Sequence, residues 1–157
     1  MSFVSSRKSK SAEVEPAPEP PDPDPYLLLN RQRKHAVDRN RIVAFLSRLV
    51  AHLNPGKSFS VVLVSDRVIE GYNHRYRGLA KPTDVLSFPG DDDYLGDILI
   101  SAETAYNQAG RSPVLSLDQN VERLALHGLL HLMGYDHETD DGEMRALELR
   151  LRRRFKC

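Results

Sequence analysis

The sequence predicts an α+β fold: a small mixed β-sheet of about four strands packed with about five helices. Two observations carry that prediction. Segments of helical and extended periodicity follow one another in mixed order along the chain. The boundaries between them carry recognisable capping and turn residues, and no internal repeat is present.

Tyr26-Leu27-Leu28-Leu29 reads as a short strand. A helix follows over about 38–53, with Ile42, Val43, Phe45, Leu46, Leu49 and Val50 at helical spacing, and Asn54-Pro55-Gly56 stops it. Residues 58–64 are β-branched and end in a continuous apolar run, as a central strand requires. A helix over about 66–76 closes at Gly78. Residues 84–88 and 95–100 read as two strands joined by the acidic, Gly-containing turn 90–93. Ser101 caps a helix that runs to Gly110. Ser116 and Gln119 form a capping box for the next, which reaches Met133 and ends at Gly134. A last helix over about 140–155 has acid in its first turn and base in its last, matching the macrodipole.

Ahead of these elements lies a segment of another kind. Residues 1–25 hold six of the ten prolines, several Ser, Glu and Asp, and almost nothing large and apolar. Such a segment cannot bury enough surface to offset its ordering entropy, so a disordered Pro/acid-rich tail is expected. Residues 26–157 then form a single domain, within the size range of one hydrophobic core.

Bulk composition narrows the function. Lys+Arg and Asp+Glu both number 22, so net charge does not call for nucleic acid. Five acidic residues lie in the tail and three more in Asp91–Asp93. Without the tail the chain holds 19 basic against 17 acidic residues, a net basic domain able to meet a polyanion. Base is concentrated in 31–41 and in 150–156, where it could hold RNA backbone or simply coat solvated helix faces. The one cysteine, Cys157, excludes a disulfide framework and a thiolate metal cluster and fits a reducing compartment. No apolar run approaches the ~20 residues of a membrane span. The basic patch Arg7-Lys8-Ser9-Lys10 lacks the apolar stretch of a secretory signal. A cytoplasmic protein without a membrane partner is expected.

The chemistry is concentrated in HGLLHLMGYDH, residues 127–137. His127 and His131 stand four apart on the expected helix, on one face and one turn apart, so both imidazoles can reach one ion. Gly134 ends the helix, the chain can reverse, and His137 returns with a third nitrogen. The flanking leucines leave this helix little polar surface, and unpartnered imidazoles there would be costly. Three neutral imidazoles leave one tetrahedral position open, the catalytic rather than the structural pattern, and zinc, one per chain, is the expected ion. Asp136 is placed to orient a ligand. The spacing matches the HExxHxxGxxH helix of zincin-type proteases, glycine included, except that Gly128 replaces their Glu general base. Gly128 is expected to leave room beside the metal for a group as bulky as a phosphodiester.

HGLLHLMGYDH resembles the signature of the YbeY family, and two upstream blocks strengthen the match. These are NHRYRGLAKPTDVLSFPG, residues 73–90, and LGDILIS, residues 95–101. The resemblance covers about 26–155. It implies a compact α+β domain, zinc on the three histidines and endoribonuclease activity specific for single-stranded RNA. It further implies maturation of the 3′ end of 16S ribosomal RNA, ribosome quality control, and contact with the small ribosomal subunit and its assembly factors. The family's functional arginine falls on Arg77, whose planar guanidinium suits a phosphate. Asp84, Ser87 and Asp97 lie in the matched blocks and are candidates, with Asp136, to line the cleft or orient ligands. Water or the ribose 2′-hydroxyl could be the nucleophile. Two alternatives stand beside the nuclease: a non-catalytic ribosome assembly factor with a zinc site, and a zinc hydrolase of peptides or small molecules.

Overall fold

The computed structural model describes residues 25–157, with Val14 and residues 16–18 besides. The expected tail, residues 1–25, lies almost wholly outside the described residues. In chain order the elements are β1 (Tyr26–Asn30), α1 (Arg39–Leu53), β2 (Ser58–Val64), α2 (Asp66–Arg77), β3 (Val85–Pro89), β4 (Tyr94–Ser101), α3 (Ala102–Gly110), α4 (Leu117–Leu132) and α5 (Glu143–Phe155). Among the described residues, four strands and five helices make the expected α+β architecture. The sheet order is β1-β2-β4-β3, with β3 antiparallel to β4 and the other pairs parallel. The apolar run 58–64 is therefore a central strand, as its composition required.

Strand alternation gives the sheet two unequal faces. Tyr26, Leu28, Phe59, Val61, Leu63, Ile98 and Ile100 point to one side, where they form the main core with α1, α4 and α5. Val64, Leu86 and Leu99 point to the other, where Ile69 of α2 meets them in a smaller cluster. Helix α4 is the best-buried helix: Leu126, Leu129 and Leu130 are fully buried. Each such side chain contributes about 1.5–3 kcal/mol of apolar burial, so the helix that carries two of the histidines is firmly seated.

Helix α5 begins at Glu143 rather than near 140. Asp140 accepts from Gly142 N at 2.8 Å and from Met144 N at 2.9 Å, so it caps the helix from outside instead of joining it. Acid before an apolar stripe is a shared signature of a first turn and of a cap.

Candidate metal centre

The histidine helix is fixed at both ends by local chemistry. At its start Ser116 accepts from Gln119 N at 3.1 Å, while the Gln119 side chain accepts from Ser116 N at 3.0 Å. At its end Tyr135 N donates to Leu130 O at 3.1 Å and Gly134 N to His131 O at 3.0 Å. This pair of bonds is a Schellman motif, and Gly134 adopts the left-handed φ of 101° that it demands. Beyond it Asp136 Oδ1 accepts from Glu138 N at 3.0 Å, and Asp136 O accepts from Asp140 N at 3.1 Å. Asp136 thus shapes the turn that returns His137 to the helix. The ring centroids of His127 and His131 lie 4.7 Å apart, and those of His137 lie 5.5 and 5.1 Å from them. One nitrogen from each ring falls within 4.8 Å of the others.

A residue that sequence reasoning missed completes the arrangement. Glu148 of α5 receives His127 Nδ1 at 3.1 and 3.2 Å and Arg152 Nη2 at 3.0 Å. Burial alone would raise the Glu148 carboxyl, but the hydrogen bond and charge of His127, with Arg152, hold it below the usual glutamate range. The bond fixes the Nδ1–H tautomer of His127 and leaves Nε2 as the donor to an ion. His131 is lowered below the ordinary histidine range, first by burial and then by His127 and His137, which favours the neutral ring that a metal needs. Three close imidazoles, one oriented by a carboxylate, can hold a metal ion. The sequence held one signal for Glu148: Met144, Glu148, Leu151 and Phe155 are the buried stripe of α5, and a glutamate within it needs a partner.

The histidines open onto a cleft. On one side a cavity of about 550 Å³ is lined by Arg77, Asp84, Ser87, Asp136 and all three histidines. Arg77 is the last residue of α2, so its place follows from where Gly78 stops that helix. Asp84 directly precedes β3. It accepts from Val85 N at 2.8 Å and from Gln108 Nε2 at 3.1 Å, which anchors it to α3 at the cleft wall. Ser87 donates to Gly128 O at 3.2 Å.

Two expectations need correction. Asp97 is not brought to the histidines: it sits on the other face of the sheet, where Ser60 Oγ and Tyr94 OH, the latter at 2.6 Å, donate to it. Gly128 leaves no free space beside the metal site. A Cβ there would stand 2.6 Å from Ile98 Cγ2 and 3.1 Å from Ser87 Oγ, so glycine serves close docking of α4 on the sheet. Part of the basic cluster 31–41 is also committed to structure. Arg41 pairs with buried Glu122 at 2.6 Å, Lys34 with Glu103 at 3.1 Å, and Arg39 donates to Leu28 O at 2.8 Å.

Fold and site together define an α+β domain whose three-histidine centre can hold a metal ion beside a cleft lined by an arginine. The family described as endoribonuclease YbeY matches residues 27–156, and the chain belongs to that family. Among its relatives, the endoribonuclease YbeY of Koribacter versatilis is 38% identical over 131 residues, covering 83% of this chain and 86% of the relative. That of Aquifex aeolicus is 37% identical over 130 residues, covering 77% and 86%. The longer Beijerinckia indica relative is 44% identical over 102 residues, which span 62% of this chain and 49% of that protein. In structure the chain is similar to TM1509 of Thermotoga maritima, solved in solution, with a TM-score of 0.57 and 26% identity over 80% of this chain and 85% of that one.

Proposed function

We propose that residues 26–157 act as one metallo-hydrolase domain, a zinc-dependent endoribonuclease that cuts single-stranded RNA. The observation that carries this reading is the placing of His127, His131 and His137 in one cleft with Arg77, in a chain whose relatives are named endoribonucleases. The natural substrate is ribosomal RNA, at the 3′ end of the 16S molecule, and the setting is maturation and quality control of the small ribosomal subunit in the cytoplasm. No described helix is long and apolar enough to cross a membrane.

The donor set suits zinc, since imidazole nitrogen is among its preferred ligands and three leave one position open. When bound, the ion supplies a Lewis acid beside the scissile phosphate. The chain's own residues do the rest. Arg77 presents a guanidinium fork to the phosphate and neutralises charge that builds on it. Glu148 holds the ring of His127 in one tautomer and one orientation. Asp136 fixes the turn that carries His137. Ser87 ties the strand wall of the cleft to the histidine helix. With Ser87 and Asp84 on the wall and Arg77 at the rim, a flexible single strand can lay its backbone against the histidines.

The test pairs metal content with cleavage of a single-stranded RNA for the wild type and His131→Ala. About one zinc per wild-type chain with cleavage, both lost in a folded variant, is the expected result. Zinc binding with equal cleavage by both proteins would assign the cutting to a contaminant and overturn the reading.

A further inference from the structure

The histidines stand between two cavities, and Arg77 lines only one of them. The second cavity, of about 470 Å³, shares Asp84, His127 and His137 with the first and continues along α5 past Arg145 and Arg152. We infer that this second cavity is a phosphate-binding subsite, with Arg145 and Arg152 as its anion contacts, for the RNA backbone leaving the histidines away from Arg77. The inference rests on the nuclease reading above.

The wall carries two arginines and three carboxylates, and the partners of these groups support it. The acidic groups are already engaged: Glu148 by His127 and Arg152, Asp140 by the first backbone amides of α5, and Asp84 by Val85 N and Gln108. Arg145 is exposed and has no hydrogen bond or ion pair among the described residues. It also stands in the first turn of α5, where a cation opposes the helix dipole and lowers stability. Asp140 already caps the first amides of α5, so an anion seated there gains from the Arg145 guanidinium alone. Arg152 uses one guanidinium nitrogen on Glu148, and its side chain is 33% exposed, so donors remain for a ligand.

The chemistry of the ligand follows from the geometry. A strand crossing the histidines carries phosphates on both sides of the reacting one. Held at Arg77 alone, it can pivot. Held at both ends of the cleft, it presents one phosphodiester to the centre. The two arginines therefore act on register, and through it on which bond is cut.

The experiment is equilibrium binding of a 2′-O-methylated single-stranded RNA to the full chain at several salt concentrations. Wild type, Arg145→Ala, Arg145→Glu and Arg154→Ala are compared, with circular dichroism as the control for folding. On a single strand, each phosphate that a cation neutralises adds about 0.7 to the steepness of log affinity against log salt. Arg145→Ala is expected to reduce the slope by about that much and to bind roughly five- to tenfold more weakly, and Arg145→Glu to bind more weakly still. Arg154, exposed on α5 and not on the cavity wall, is expected to change neither quantity. Unchanged slope and affinity at Arg145, or an equal reduction at Arg154, overturns the subsite while a wild type that binds and cuts RNA keeps the nuclease reading. A wild type that neither binds nor cuts RNA overturns both.

Discussion

On the α4 side of the sheet, Ser87 of β3 stands opposite Ile98 of β4 and donates its hydroxyl to Gly128 O. One residue along, Phe88 stands opposite Asp97, and both face the other way. There Asp97 accepts from Ser60 and Tyr94 within a groove also lined by Leu29, Val62, Tyr72 and Tyr76. Each side therefore has a carboxylate out of full solvent: buried Glu148 behind the histidines and half-buried Asp97 in the groove. Their partners separate them. The donors on Asp97 are two hydroxyls whose hydrogen bonds end there, and burial, then the bond to Asp97, raises Tyr94 above the ordinary tyrosine range. Glu148 receives Arg152 and an imidazole with a second nitrogen free, so this carboxylate acts on whatever that nitrogen holds. Of the two carboxylates, only Glu148 touches a histidine of the centre.

The largest effect expected on this comparison comes from Glu148→Ala. It removes the acceptor of His127 Nδ1, which frees the ring and its tautomer, and zinc affinity is expected to fall about 10- to 100-fold. Competition with a chromophoric chelator measures it. An affinity equal to that of the wild type would show that the ring needs no orienting group and would erase the distinction between the two carboxylates. A smaller effect, on stability, is expected from Gly128→Val, which forces a branched side chain against Ile98. Overpacking of that kind costs about 1–3 kcal/mol, and a chain of this size loses roughly 2–4 °C of melting temperature per kcal/mol. A variant that melts with the wild type would show that α4 can lift from the sheet at no cost.

What was legible in the sequence is what is local in the chain. The Ser116–Gln119 box, the stop at Gly134 and the apolar run 58–64 each need only a few neighbouring residues, and the structure holds all of them. The three histidines were legible for the same reason, since a helical turn and one reversal bring them together. Glu148 was not, because its partner lies 21 residues away on another helix. Gly128 was misread because its neighbour Ile98 comes from β4: a glycine beside a ligand reads as open space until the opposing strand is known. Strand parity places Asp97 away from the histidines, since one residue of offset turns a side chain to the opposite face. Asp140 and the start of α5 show a different limit, where one acidic residue fits both a helix and its cap.

The smallest effect on the centre is expected from Asp97→Ala, and it bears most directly on the separation of the two faces. The substitution leaves the hydroxyls of Ser60 and Tyr94 without their acceptor in a partly buried setting. Stranding such donors costs about 1–3 kcal/mol, so the melting temperature should fall by several degrees. Zinc content and RNA cleavage per folded molecule should stay within about twofold of wild type, because no hydrogen bond of Asp97 reaches His127, His131 or His137 among the described residues. A tenfold loss of cleavage at unchanged melting temperature would mean that RNA also lies along the groove, with Asp97 meeting substrate there. In that event the sheet would have two working faces, and the alternation of β4 would distribute one site across them instead of separating a site from its support.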